Sequence, residues 1–347
     1  MHCKARLPHL LLAVLLASGL LAGACSSDDD DSTGAGGNTS TDDSAAADGG
    51  GSGSGGEASG TVTVEHRFGT TEVPVAPERI VSLDLQWTDT LAALGTPPVA
   101  YVQDPTLEDP PWQEGLLDDS EPIEVTATTT ELPYEDIVAA DPDLIVVTYF
   151  AEDQEAYELL SEIAPTIATL TAGDAVDPWQ DITEVAGQVL GAEDEATALI
   201  DEVEGEIADT AAALPELEGQ TFALVNYVPN DSIYVVADPE DGASLLFEQL
   251  GMEITPTILE SGDVDGGRVQ ISFEEISLLD ADLLLLLTNG ADPEDISGYD
   301  ALPAVESGAV LSMGYTDIVA LNTPSALSVA YALELITPTL EAAADAA

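Results

Sequence analysis

Between Thr61 and the C-terminus, short apolar runs alternate with segments of helical spacing. "TVTVEH" (Thr61 to His66) alternates polar and apolar, which predicts a strand. "RIVSLD" is a short buried strand, "TDTLAALG" a helix stopped by Gly95, and "PPVAYV" the next strand. "DLIVVTYF" and "DLLLLLTNG" are continuous apolar runs, as expected of strands in a parallel sheet covered on both faces. Ile182, Val185, Ala186, Val189 and Leu190 follow the i, i+3, i+4, i+7, i+8 spacing of a helix that Gly191 stops. A second helix, about residues 194–213, carries Leu199, Val203 and Ile207 at four-residue steps. Twenty helical residues span about 30 Å, the width of a small lobe.

The chain repeats itself once. "YEDIVAADPDLIVV" (Tyr134 to Val147) parallels "FEEISLLDADLLLL" (Phe273 to Leu286) without a gap. Both read aromatic, Glu, acid, Ile, then Asp-x-Asp-Leu and an apolar strand. "LAALG" (Leu91 to Gly95) and "FEQLG" (Phe247 to Gly251) form a weaker second parallel. Two copies so far apart exclude a solenoid. They predict an α/β fold of two similar lobes with mostly parallel central sheets, joined by a single long helix.

The N-terminus adds a compartment. "MHCKARLPHLLLAVLLASGLLAGAC" has a basic start, an apolar run and small residues before Cys25, the pattern of a secretory signal. "LAGAC" resembles a bacterial lipoprotein processing site, which makes Cys25 the lipidated residue and the only mature thiol. Residues 26–60 are rich in Gly, Ser and Asp and read as a flexible tether. The organisation expected is a signal peptide over 1–24, the lipidated Cys25 with its disordered tether over 25–60, an N-terminal lobe over 61–192, an interlobe helix over 193–214 and a C-terminal lobe over 215–347. The protein is thereby placed outside the cell membrane, on its outer face.

Charge narrows the partners. The net charge is −62, with 67 acidic residues against five basic ones, and 45% of residues are hydrophobic. Past the leader the cations are Arg67, Arg79 and Arg268. Enough apolar residues remain for a core, so the acids coat its surface. Their repulsion is relieved where salt shortens the Debye length, which suggests a halophilic or salt-tolerant source. No basic patch exists for nucleic acid. With one histidine, His66, and one lipidated cysteine after the leader, the mature chain offers neither a nucleophile with its base nor a zinc-type cluster. Neither an enzyme nor a direct metal receptor is expected, and His66 reads as a packed residue.

"VEHRFGTTEVPVAPERIVSLDLQWTDTLAALG" (Val64 to Gly95) closely resembles the start of extracytoplasmic solute-binding proteins of iron-siderophore ABC importers, the class III periplasmic binding proteins. Val64, His66, Gly69, Thr71, Val73, Pro74, Pro77, Arg79, Ile80, Val81, Leu83, Leu94 and Gly95 carry the resemblance. "DPDLIVV", "YELLSEIAPTI", "WQDITEVAGQVLGAEDEA" and "LPAVESGAVLSM" extend it towards the C-terminus. The resemblance implies a cleft between two α/β lobes, small closure on binding, a ferric siderophore as ligand and a permease dimer with its ATPase as partners of a monomeric receptor. Haem and cobalamin receptors share the architecture, and Tyr227 or Tyr149 could ligate haem iron. A non-transport scaffold lipoprotein is the rival class. Arg67 and Arg79 read as structural residues bonded to loop carbonyls.

In α/β sheets the crevice lies at the carboxyl ends of the strands. The candidates there are Asp84, Gln86 and Trp87, Tyr101, Thr148 and Tyr149, Tyr227, Asn289, and Tyr315 with Thr316. For each aromatic the competing role is core packing, more so for Trp112 and Trp179. Arg268, in the glycine-rich "GGRVQIS", either meets ligand oxygens or forms an internal salt bridge. So few cations favour a neutral or cationic ferric hydroxamate over a triply negative catecholate chelate. In the repeat, Glu135 and Glu274 begin equivalent helices, where an acid suits the helix dipole. The resemblance further implies that they dock onto arginines of the two permease subunits.

Overall fold

The computed structural model describes residues 60–104, 106–107, 110–124, 132–148, 153–171 and 176–347. Cys25, the signal segment, the tether up to residue 59 and Tyr149 lie outside the described residues. A hairpin opens the fold, β1 (Thr61–His66) antiparallel to β2 (Gly69–Pro74). The N-terminal sheet has β3 (Ile80–Ser82), β4 (Ala100–Gln103), β5 (Glu121–Glu124), β6 (Leu144–Val146) and β7 (Thr166–Ile167) in the order β5-β4-β3-β6-β7. All its pairings are parallel. Helices α1 (Leu85–Ala93), α2 (Tyr134–Ala139), α3 (Gln154–Ser161) and α4 (Trp179–Leu190) accompany it. One apolar cluster holds Val81, Ile137 and Ile145, and another holds Ile80, Trp87 and Val146, so alternate strand residues feed opposite faces.

Helix α5 (Glu193–Ala213) follows α4 after Gly191, which ends α4 in the left-handed conformation at φ 67°. Its buried Val203 and Ile207 join the apolar cluster of the C-terminal sheet. That sheet comprises β8 (Thr221–Val228), β9 (Ser232–Val236), β10 (Glu253–Ile254), β11 (Arg268–Ile271), β12 (Leu283–Leu287) and β13 (Val310–Met313). Its order is β11-β9-β8-β12-β13, with β10 paired to β8. Helices α6 (Gly242–Gln249), α7 (Pro256–Leu259), α8 (Pro303–Ser307), α9 (Tyr315–Asn322) and α10 (Ala326–Asp345) complete it. Every residue of β12 is buried, as its unbroken leucine run requires.

The C-terminal sheet keeps parallel pairings of β8 with β10 and β12 and of β12 with β13, and adds an antiparallel edge. β8 and β9 form an antiparallel hairpin, and β11 runs antiparallel to β9. The hairpin turns at Asn230, which holds φ 64°, a conformation asparagine tolerates. The expected glycine-rich loop is a two-residue turn. Gly266 and Gly267 have φ 53° and 71°, and Asp265 and Arg268 exchange backbone hydrogen bonds of 2.9 and 3.0 Å. Positive φ at both central residues is what a type I′ turn demands, so Arg268 begins a strand.

The sequence repeat has a structural counterpart. Asp143 accepts hydrogen bonds from the backbone N–H groups of Glu78 (2.8 Å) and Arg79 (2.9 Å), just before β3. Asp282 accepts from the N–H of Thr221 (2.8 Å) and from its hydroxyl (2.7 Å), at the start of β8. In each half the next residues pair in parallel register, Ile80 with Leu144 and Phe222 with Leu283. The second aspartate of Asp-x-Asp-Leu thus sets the register between the repeated strand and its neighbour. Arg79 donates to the carbonyls of Ala140 and Asp141 at the C-terminal end of α2, where a cation also meets the negative end of the helix dipole. Arg67 lies over the Phe68 ring at 5.5 Å. His66 is buried, 2.9 Å from the Thr71 hydroxyl and tilted against Tyr157, and burial lowers its pKa.

Candidate functional site

A cavity of about 1120 Å³ opens between the carboxyl ends of the two sheets. Its N-terminal wall is Leu83 to Leu85 after β3, Tyr101 to Asp104 on and after β4, and parts of the segment from Pro110 to Asp118. Its C-terminal wall is Leu224 to Asn226 of β8, Tyr234 and Val236 of β9, Arg268 of β11, Leu287 of β12 and one face of α9. The lining mixes aliphatic and aromatic surface with a few amides, hydroxyls and carboxylates, the usual composition of a small-molecule site.

Of the residues expected from the sequence, the cavity brings together Asp84, Tyr101, Arg268 and Tyr315. Asp84 caps α1, accepting from the Trp87 N–H at 3.0 Å and from the Thr148 hydroxyl. Burial pushes its pKa up to about 6 against those hydrogen bonds. Tyr315 starts α9 and donates its hydroxyl to Asp104 at 2.7 Å, bridging the two walls. Burial and the Asp104 carboxylate raise the Tyr315 pKa. Burial would raise that of Asp104, but the hydroxyl and N–H of Thr106 and the Tyr315 hydroxyl outweigh it and lower it.

The other expected residues lie elsewhere. Trp87 is 1% exposed in the core between β3 and α4, because the first turn of α1 points it away from the cavity. Gln86 is buried and donates to the carbonyls of Asp177 (3.1 Å) and Pro324 (2.6 Å), joining the two halves beneath the cavity. Thr148 is buried against Asp84. Tyr227 belongs to the core and packs edge-on against Phe273, since alternation along β8 turns it to the opposite face from Asn226. Asn289, at φ 50°, donates to Asn226 Oδ1 and the Tyr227 carbonyl, both at 2.8 Å, so it supports a wall residue from behind. Trp112 and Trp179 are also core residues. Tyr149 lies outside the described residues.

Among the lining residues that the sequence did not point to are Asp104, Asn226 and Tyr234. Asn226 and Tyr234 face each other across the β8–β9 pair, and the Pro-Asn-Asp turn signal between those strands would have exposed the hairpin. Asp104 had no local signal; its role depends on Tyr315, 211 positions away.

Next to the cavity wall at Gln113 lies a buried acid, Asp89, with no basic partner among the described residues. Asp89 accepts from Trp112 Nε1 (2.8 Å), Gln113 Nε2 and the Ser325 hydroxyl (2.6 Å). Burial pushes its pKa up to about 6 despite these donors. Ser325 caps α10, so this cluster ties α1 to the last helix. Among the described residues no group of His, Cys, Asp and Glu is placed to hold a metal ion.

Comparison with known proteins places this geometry. A probable siderophore-binding lipoprotein of Bacillus subtilis is 28% identical over 240 residues, 68% of this chain and 71% of that protein. The petrobactin-binding protein of the same organism is 24% identical, covering 66% and 70%. A periplasmic solute binding protein from Mycobacterium smegmatis superimposes with a TM-score of 0.68 at 27% identity, covering 81% of this chain and 98% of that one. PiaA of Streptococcus pneumoniae in complex with ferrichrome superimposes with a TM-score of 0.69 at 24% identity, covering 82% and 99%, a likeness of fold. Residues 80–315 match the periplasmic binding protein family, which is most of the sheet-and-helix body and all but a few residues of the cavity lining, and the chain belongs to that family.

Proposed function

We propose that this protein is the extracytoplasmic receptor of an ABC importer, capturing a ferric siderophore, hydroxamate types favoured, and delivering it to the permease. The cavity carries this reading. At about 1120 Å³ it is large enough for a hexadentate chelate, and its two walls come from the strand ends of separate sheets. The family consists of binding proteins, several relatives are named for ferric ligands, and a structural neighbour was solved with a hydroxamate siderophore. Tyr101, Tyr315 and Arg268 are the lining residues assigned to ligand contact, joined by Asn226 and Tyr234. A titration panel of ferric siderophores, haemin and cobalamin, followed by tryptophan fluorescence, tests the assignment. Saturable binding of a ferric siderophore supports it; binding of haemin or cobalamin alone replaces it with a receptor for that ligand.

The lobes span 61–192 and 215–347, with the helix of 193–214 between them, and the receptor works as a monomer. Lipid on Cys25 holds it to the outer face of the cell membrane, in keeping with relatives named as lipoproteins. Mass spectrometry of the membrane fraction checks this, and a free Cys25 thiol refutes it. Glu135, in the first turn of α2, and Glu274, in the first turn of the short 3-10 helix Phe273–Leu278 that takes the equivalent place in the second half, are exposed and dock to the two permease subunits. Replacing both with Ala lowers import and leaves soluble ligand affinity unchanged; import at the wild-type rate refutes the assignment. The acidic surface suits a salt-rich setting, so the melting temperature rises from low to molar salt.

A further inference from the structure

We infer, resting on that reading, that the cavity sorts its ligands by charge, and that it does so because the charge of Arg268 is withheld from them. Arg268 Nη1 lies 2.6 Å from Asp241 Oδ2, and Asp241 has no exposed side-chain surface. The same Oδ2 accepts from the Val176 N–H at 3.1 Å, and Oδ1 accepts from the Ala243 N–H at 2.9 Å as the cap of α6. A buried carboxylate so held cannot turn to solvent, and a guanidinium that left it would strand an unpaired charge.

Three further features fix the arginine. Nη2 donates to Asn322 Oδ1 at 2.8 Å, and Nη1 also donates to the Gly266 carbonyl at 3.2 Å. The type I′ turn sets the backbone, and a Cβ on Gly267 would collide with the Asp241 carboxylate. Three of the five N–H donors of the guanidinium are therefore engaged. Its charge is matched, but part of its hydrogen-bonding capacity still faces the cavity. Arg268 is then a donor to neutral chelate oxygens and not an anion receptor.

Nothing else in the described structure offsets this. Arg79 is held on the carbonyls of Ala140 and Asp141 and Arg67 against Phe68, and neither lines the cavity. The lining acids are Asp84, Asp104, Glu114 and Asp118. A chelate with several negative charges would enter a negative field without a free cation to meet it, whereas a neutral or cationic chelate would not be opposed.

The test uses three ferric chelates of similar size: ferrioxamine B, a trihydroxamate with a free ammonium; ferrichrome, neutral; and ferric enterobactin, triply negative. With the wild-type protein, the first two are expected to bind at least about tenfold more tightly than the third, and added salt should narrow the gap. Asp241→Asn keeps a capping oxygen for Ala243 and removes the countercharge. It should shift the ratio of anionic to neutral affinity by about tenfold towards the anion. Ferric enterobactin binding the wild type as tightly as either hydroxamate overturns the inference, as does an unchanged ratio in a folded Asp241→Asn protein. The wild-type ranking decides the matter if that variant does not fold. Binding of none of the three refutes the functional reading itself, a result distinct from an inverted ranking.

Discussion

The N-terminal sheet is parallel throughout, in strands of two to four residues, while the C-terminal sheet has strands of up to eight and an antiparallel edge. The two share the repeated aspartate that sets strand register and a short helical turn before it, α-helical in the first half and 3-10 in the second. They differ in what they give the cavity. The N-terminal half supplies an acid-rich wall and keeps Asp84 and Asp89 buried with hydroxyl, amide and indole partners. The C-terminal half adds the β9–β11 edge, which brings in Tyr234 and Arg268, and matches its buried Asp241 with a cation. A common scaffold thus fixes where the site lies, and unequal additions fix its chemistry.

The largest expected effect comes from the matched acid. Asp241→Ala removes a helix cap and leaves Arg268 without its partner, at a cost of about 3 kcal/mol in urea unfolding. The contrast between the acids also predicts a pH response. Asp84 and Asp89 have folded pKa values of about 6, above the ordinary 3.8. The folded state therefore takes up protons before the unfolded chain does. Stability rises as pH falls through about 6 and is lost again as pH rises. From neutral pH to about pH 5 the gain is about 1 kcal/mol for each group, and urea midpoints in that window should flatten in an Asp84→Asn, Asp89→Asn double variant.

The shared device gives a sharper comparison. Asp143→Ala releases a half-buried strand clamp and Asp282→Ala an exposed one, and each should cost about 1 kcal/mol, nearly equal in the two halves. A large difference between them would mean that only one copy governs register. Tyr315→Phe breaks the bridge to Asp104 and leaves the ring in place. Its cost in stability should stay below about 1 kcal/mol, while ligand association quickens if the bridge restricts access to the cavity; stopped-flow fluorescence with ferrichrome reads this.

Much of this was legible in the chain. The leucine run of β12, the four-residue steps of Val203 and Ile207, and the paired Asp-x-Asp-Leu segments are local patterns, because burial and backbone hydrogen bonding repeat with the period of each element. The carboxyl-end rule then located the site among Asp84, Tyr101 and Tyr315. It also drew in Trp87 and Tyr227, since a residue near a strand end can face cavity or core, and one step along the chain reverses its side.

The sequence by itself determined the α/β class, the duplication and the scarcity of cations. Only the tertiary structure decided that β9 and β11 pair antiparallel, that Tyr315 meets Asp104, and that Arg268 is held by Asp241 and Asn322. Those partners lie 211, 27 and 54 positions apart in sequence. No local periodicity records such distances; they are set by how the two sheets and α9 pack, and that packing turns an arginine visible in the sequence into one whose charge is already matched.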